Sequence, residues 1–169
     1  MKKRRLKNLL LPLALVAAFA TTPAQATETS QPNPKAIVKE DFSHHDFNTT
    51  VTKLKAQLVK DGWGMLTEIN LGQRIAKKGV QLPGGLIILE LTSGGATIPL
   101  LKNENTRYIA GLMPCSVSIY GMDDGRVVVS RMNAGMMAGM MEPKVGDVLR
   151  ASANKLDESI ARALARTAN

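Results

Sequence analysis

The fold of this chain turns on residues 111–133, which read Gly111-Leu-Met-Pro-Cys-Ser-Val-Ser-Ile-Tyr-Gly-Met-Asp-Asp-Gly-Arg-Val-Val-Val-Ser-Arg-Met-Asn133. From Cys115 to Ile119, apolar and polar side chains alternate, and this period of two is typical of a half-buried strand. Asp124-Gly125 favours a type I′ turn, because Asp and Gly tolerate the positive φ that this turn requires. The β-branched run that follows completes a predicted β-hairpin.

Working outward from the hairpin, apolar periodicity and turn residues predict three earlier strands and five helices. The run 86–91 is nearly continuously apolar, which favours a central strand buried on both faces. Asn48 or Thr49 is expected to cap the first helix, Asn70 the second and Asn133 the fourth. The strands are predicted at 36–42, 63–69 and 86–91, and the helices at about 49–61, 71–78, 96–101, 134–141 and 144–168.

This order, β-α-β-α-β-α-β-β-α-α, predicts an α+β two-layer domain with a mostly antiparallel sheet and helices packed on it. The domain is expected to occupy residues 36–169. One hydrophobic core suffices for a chain of this length.

The first 26 residues have the three parts of a secretory signal peptide. A lysine- and arginine-rich start precedes the apolar run Leu9–Ala20, and Ala24-Gln25-Ala26 has the small-x-small pattern of a cleavage site. The apolar run is shorter than the roughly 20 residues that a membrane-spanning helix needs. We therefore expect a mature periplasmic protein without a stable membrane span, which starts at Thr27 with a flexible leader over 27–35.

The charge of the mature chain argues against a nucleic-acid partner. The whole chain carries +8, but five of its 22 basic residues and none of its 14 acidic residues lie in the signal peptide. The remainder, 17 basic against 14 acidic residues, has a net charge of +3, without a basic block. With one cysteine in the chain, Cys115, an internal disulfide is impossible.

Three segments give the chain a resemblance to the bacterial and archaeal domain-of-unknown-function family numbered 302. They are Asp61-Gly62-Trp63 before a strand that contains Glu68, the Pro-Cys pair within 112–120, and 130–133 before a Met-rich helix. The resemblance covers roughly residues 36–165. It implies a compact α/β domain that associates in pairs, so we expect a homodimer, and it implies no reaction.

The chain departs from the family pattern at one place. Members of the family often carry a Cys-Asn-Pro triplet after the central strand, where this chain has Thr92-Ser93-Gly94. A chemistry that needs two thiols is therefore not expected here.

Cys115 and the Met-rich helix are the candidates for chemistry. Cys115 is a candidate catalytic nucleophile if a base or a cation lowers its pKa, and otherwise a buried small hydrophobe. Met136 and Met140 lie one helical turn apart, and with Cys115 they offer the soft ligands that Cu(I) prefers. Packing in the core is the alternative role for the methionines. His44-His45 is read as a solvated turn rather than a metal site.

Polar residues on the predicted strands are candidates for ligand binding. Glu90 interrupts an apolar run, so it either pairs with a cation such as Arg131 or lines a pocket. The candidate set comprises Glu68, Glu90, Ser116, Ser118, Tyr120, Arg131 and Asn133.

The sequence favours a small exported binding or accessory module that is not a catalyst, has no cofactor and holds an unknown small ligand between the sheet and the Met-rich helix. Two alternatives stay open: a periplasmic Cu(I)-binding protein that uses Met136, Met140 and Cys115, and a thiol-dependent enzyme built on Cys115. Phosphate-loop, zinc-protease, dinucleotide and nucleophile-elbow motifs are absent from the sequence.

Overall fold

The computed structural model describes residues 37–165. The predicted signal peptide and leader, residue 36 and the last four residues lie outside this range. Within it the strands are β1 (Val38–Ser43), β2 (Gly64–Asn70), β3 (Leu86–Thr92), β4 (Cys115–Gly121) and β5 (Val127–Met132). The helices are α1 (Phe47–Lys60), α2 (Leu71–Ala76), α3 (Gly94–Lys102), a 3-10 helix (Glu104–Leu112), α4 (Ala134–Ala138) and α5 (Pro143–Leu164).

The five strands form one antiparallel sheet in the order β1-β5-β4-β3-β2. This confirms the predicted α+β class and the predicted hairpin, which is the β4–β5 pair. The register places Leu91 of β3 opposite Cys115 of β4, and Lys39 of β1 opposite Arg131 of β5. Both pairs are important for the site described below.

The hairpin turn differs from the predicted type I′ geometry. Gly125 has a φ of 84°, whereas no non-glycine residue within 37–165 has positive φ, so Asp124 does not adopt the required conformation. Instead, the Gly125 N–H donates to the Met122 carbonyl at 3.0 Å and the Met122 N–H donates to the Arg126 carbonyl at 2.8 Å. The connection is therefore a three-residue loop in which only the glycine is left-handed.

One face of the sheet packs against α1 and α5, and this interface is the main core. Its fully buried side chains include Leu54 and Leu58 of α1, Leu89 of β3, Val117 of β4 and Ile160 of α5. The opposite face of the sheet is more open. Alternate residues of β3 are buried and half-buried, so the prediction of a strand buried on both faces was wrong.

Several helix boundaries also differ from prediction. Asp46 caps α1, because its carboxylate accepts from both the backbone N–H and the hydroxyl of Thr49 at 2.9 and 2.6 Å. Asn70 and Asn133 cap α2 and α4 as predicted. The Met-rich helix is shorter than predicted and ends at Ala138, and the 3-10 helix was not predicted.

A second, smaller core lies where α3, the 3-10 helix and α5 meet. It is built on Leu100, Ile109 and Val145, all almost fully buried. Helix α4 approaches α5 closely here, since a Cβ at Gly146 would stand 2.4 Å from the Ala138 carbonyl oxygen. Glycine at this position thus brings the Met-rich helix against α5. Within residues 37–165, no helix combines the length and apolarity needed to span a membrane.

Candidate functional site

A cavity of about 260 Å³ lies between the main core and the smaller core. Its walls come from the end of β3, the start of β4, helices α3, α4 and α5 and the 3-10 helix. The residues that line it are Leu66, Leu91, Thr92, Ser93, Ala96, Thr97, Leu100, Leu101, Ile109, Leu112, Met113, Pro114, Cys115, Met132, Ala134, Met137, Leu149 and Ser152. Most of these are apolar, and the polar ones carry only hydroxyl groups.

The cavity exists because short elements cover this end of the sheet. Helix α3 contains Pro99 and ends at Lys102, and the chain then turns into the 3-10 helix. The Thr106 hydroxyl holds this turn by donating to the Leu100 carbonyl at 2.7 Å. Two short elements joined at an angle fill the space less completely than a long helix would, because fewer side chains interdigitate.

The cavity has an opening. Leu66 and Met132 line it, yet they are 60% and 38% exposed. These two exposed side chains mark where the cavity meets solvent.

Cys115 contacts this cavity from the first position of β4. It is half-buried, packed against the main core, rather than fully buried as the alternation predicted. The cavity leaves one side of the thiol uncovered. Burial, and secondly the Glu90 carboxylate, raise the pKa of Cys115. The thiol is therefore protonated at neutral pH, which makes it a poor nucleophile.

A narrow crevice of about 40 Å³ lies next to the cavity, on the side of β1. The two spaces share lining residues, namely Cys115, Met132, Ala134, Leu149 and Ser152. Beyond these residues the crevice is lined by Lys39, Arg131 and Asp157, together with Trp63 and Leu156. An apolar space and a charged space thus lie side by side.

The charged end of the crevice is an ion cluster between the sheet and α5. Lys39 and Arg131 face each other across β1 and β5, and like charges in such pairs repel. Asp157 of α5 stands between them, 2.5 Å from Lys39 Nζ and 2.6 Å from the Arg131 guanidinium. The guanidinium also contacts Asp41 at 2.5 Å, and the Arg131 side chain is only 5% exposed. Burial alone would raise the pKa of Asp157, but hydrogen bonds from Lys39 and Arg131 outweigh it and lower the pKa.

Most of the predicted ligand-binding residues lie on the open face of the sheet. Glu90 accepts a hydrogen bond from the Ser116 hydroxyl at 2.9 Å, and with Ser118 both line a shallow groove there. Tyr120 donates to Glu40 at 2.5 Å, and burial together with this bond raises its pKa to about 12. Of this group, only Ser116 also reaches the crevice.

The remaining predicted residues lie elsewhere. Glu68 forms an ion pair with Lys55 of α1. Asn133 caps α4, accepting from the Met136 N–H at 3.2 Å. Arg131 lines the crevice and pairs with Asp41 and Asp157 rather than with Glu90. The predicted residues therefore do not converge on one site.

The methionines divide into two groups. Met136 and Met140, the predicted metal ligands, are 38% and 79% exposed and do not line the cavity. Three others, Met113, Met132 and Met137, line it together with Cys115. The methionines that line the cavity with Cys115 are thus not the predicted ligands Met136 and Met140.

The histidines lie away from the cavity. His45 Nε2 is 3.3 Å from the Ala165 carbonyl oxygen, and His44 borders a shallow groove beside Leu164. The described residues that line the cavity include no histidine, lysine, aspartate or glutamate. Cys115 therefore has no base beside it within the cavity.

Two groups of residues were missed by the sequence reasoning: the cavity walls from α3 and the 3-10 helix, and the ion cluster members Lys39 and Asp157. The sequence does contain a signal for Lys39, because this residue occupies an inward-facing position of a strand, where a charged side chain needs an oppositely charged partner. That partner lies 118 residues away, and only the folded chain shows it.

The sequence profile described as "Domain of unknown function DUF302" matches residues 38–167. The chain belongs to the DUF302 family. This confirms the resemblance that the Pro-Cys strand and the flanking segments indicated.

A solved DUF302 structure has the same fold. It is described as "Crystal structure of uncharacterized conserved protein DUF302 from Bacillus stearothermophilus". The two chains are 19% identical with a TM-score of 0.67, and the match covers 75% of this chain and 98% of the other. No curated protein matches the chain.

Proposed function

We propose that this DUF302 protein is an exported, non-catalytic module that binds a small apolar molecule in the cavity between the sheet and the Met-rich helix. The observation that carries this proposal is the preformed apolar space of about 260 Å³ beside Cys115. Binding sites for small molecules are typically concave, mostly apolar and few in a protein.

The volume limits the size of the ligand. An apolar cavity of about 150 Å³ holds benzene, so a space of this size accommodates about ten carbon atoms. The hydroxyl groups of Thr92, Ser93, Thr97 and Ser152 supply the few polar contacts of the lining.

The protonated thiol supports binding rather than catalysis. A raised pKa at Cys115 and the absence of a base among the described lining residues are unfavourable for nucleophilic attack. The thiol-dependent enzyme is therefore the less favoured alternative.

The experiment is a titration with 1-decanol, followed by calorimetry, with a variant that fills the cavity. Ala96→Leu places extra carbon atoms in the lining, and Ala56→Leu makes the same change on the exposed side of α1. We expect Ala96→Leu to weaken binding at least about tenfold, because the added side chain occupies the space of the ligand. Ala56→Leu should bind like the natural protein.

Absence of 1-decanol binding to the natural protein, or equal binding by Ala96→Leu, would reject the proposal. Native mass spectrometry of protein purified from the periplasm provides a second readout, namely a bound species that Ala96→Leu loses. The same spectra measure the mass of the chain, which is expected to start at Thr27.

A second candidate function is Cu(I) binding, favoured by the three thioethers and one thiol that line the same cavity. Soft sulfur ligands suit Cu(I), and binding to Cys115 would release its proton. The ligands would be drawn from Met113, Met132, Met137 and Cys115.

Two double variants test the copper hypothesis. Met132→Leu with Met137→Leu removes two cavity thioethers, whereas Met136→Leu with Met140→Leu removes two exposed ones. The copper hypothesis requires that the natural protein holds one Cu(I) against a competing chelator, and that only the first variant loses it. Failure of the natural protein to hold the ion would leave apolar binding as the remaining function.

Pairing of two chains is a further part of the proposal and is supported by the open face of the sheet. Val38 and Phe42 of β1 are 43% and 50% exposed there. Light scattering after size exclusion should give twice the mass of the mature chain, and a single-chain mass would reject the homodimer.

A further inference from the structure

Resting on the proposed apolar site, we propose that the ligand is an amphiphile, whose apolar body fills the cavity and whose anionic head pairs with Lys39 in the crevice.

The first step is that the two spaces are adjacent. The cavity and the crevice share five lining residues, among them Cys115, Ala134 and Ser152. Only these shared side chains therefore separate a molecule in the cavity from the crevice. The ion cluster lies at the charged end of the crevice.

The charge of the crevice selects the head group. Its lining contains two cations, Lys39 and Arg131, and one carboxylate, Asp157. The fourth charge of the cluster, Asp41, contacts Arg131 without lining the crevice. The oxygens of Asp157 already accept from both cations, so an incoming amine would meet two positive charges. The four charges of the cluster sum to zero, so the attraction for an anion comes from Lys39, whose ammonium has further N–H donors.

Lys39, rather than Arg131, is the residue that binds the anionic head group of the ligand. Both ends of the buried guanidinium are occupied, by Asp157 and by Asp41. The Lys39 side chain is 39% exposed, and within residues 37–165 its ammonium makes one hydrogen bond, to Asp157 at 2.5 Å. An ammonium has three donors, so it can bind a carboxylate and keep Asp157.

The test uses decanoate, 1-decanol and decylamine as probes. They share an alkyl body of the size estimated for the cavity and differ in the charge of the head. Binding is followed by calorimetry and by the fluorescence of Trp63, the chain's one tryptophan, which lines the crevice. We expect decanoate to bind about tenfold more tightly than 1-decanol, and decylamine to bind most weakly.

Variants at Lys39 test whether the anionic head group of the ligand binds to this residue. Lys39→Met should reduce decanoate affinity about tenfold and leave 1-decanol affinity unchanged. Lys39→Arg should restore decanoate binding, and Lys78→Met, an exposed lysine on the loop after α2, should bind all three probes normally. Arg131 keeps Asp157 in place in these variants, and circular dichroism checks that they are folded.

The outcomes separate the two proposals. If 1-decanol and decanoate both fail to bind, the proposed function is rejected. If 1-decanol binds and decanoate gains nothing over it, or if Lys39→Met weakens both equally, the apolar site stands and the anionic head is rejected. Tightest binding of decylamine would also overturn it.

Discussion

Under helices α1 and α5, side chains such as Leu54, Leu89 and Ile160 are completely buried. At the other end, around α3, the 3-10 helix, α4 and the first half of α5, the side chains of Leu101, Met137 and Leu149 are only half-buried and surround an open space. Both regions are apolar, so composition does not explain the difference. The lengths of the covering elements do.

Helix α5 has 22 residues and contributes to both regions, but the main core is also covered by α1, which runs for 14 residues and presents a regular apolar stripe to the sheet. Helix α3 and the 3-10 helix have nine residues each, and α4 has five. The apolar side chains of a long helix interdigitate with those of a sheet, whereas short helices that change direction leave gaps between side chains. The comparison indicates that the main core contributes stability, whereas the other end of the domain contains the open cavity.

The largest expected effect comes from removing the same side chain in the two regions. Leu89→Ala in the main core should cost about 3–5 kcal/mol of unfolding free energy, because the rigid surroundings cannot collapse. Leu101→Ala should cost about 1 kcal/mol, because its side chain already borders an open space. Urea unfolding measures both, and equal costs would remove the distinction between the two regions.

Acid should weaken the attachment of α5 at the ion cluster. The pKa of Asp157 is lowered in the folded state, so the unfolded chain binds a proton first as pH falls. The stabilisation is therefore present above the ordinary pKa of aspartate and is lost as pH falls through the lowered value.

The matched variants for this effect are Asp157→Asn and Asp123→Asn, the second in the exposed hairpin turn. At pH 7, Asp157→Asn should lose about 1 kcal/mol, since solvent screens a partly exposed pair. Below the folded pKa its stability should approach that of the natural protein. A cost that does not shrink in acid would contradict the ion-pair account.

The last prediction concerns the reactivity of Cys115, which lies at the boundary between the two regions, rather than stability. A disulfide reagent at pH 7 should label the native thiol at least about tenfold more slowly than the urea-unfolded chain, because the thiolate is scarce. Saturating 1-decanol should slow it further by covering the exposed side. Fast labelling of the native protein would revive the thiol enzyme.

The main core was largely predictable from sequence, and the cavity was not. Alternation in β4 and helical spacing in α1 identified Val117, Ile119, Leu54 and Leu58 as inward-facing, because both patterns are local. The path of α3 and the 3-10 helix depends on contacts such as Thr106 to Leu100, which no periodicity encodes. Spacing alone led to Met136 and Met140 as metal ligands, whereas tertiary packing places Met132 and Met137 in the same cavity as Cys115.

Crystals of the protein under xenon pressure test the central claim, that one end of the domain holds usable apolar space and the other does not. Xenon enters apolar cavities and is located by its strong scattering. The account predicts xenon bound among Leu100, Ile109 and Met137, and none among Leu54, Leu89 and Ile160 of the main core. Xenon in the main core, or no xenon beside these three side chains, would contradict it.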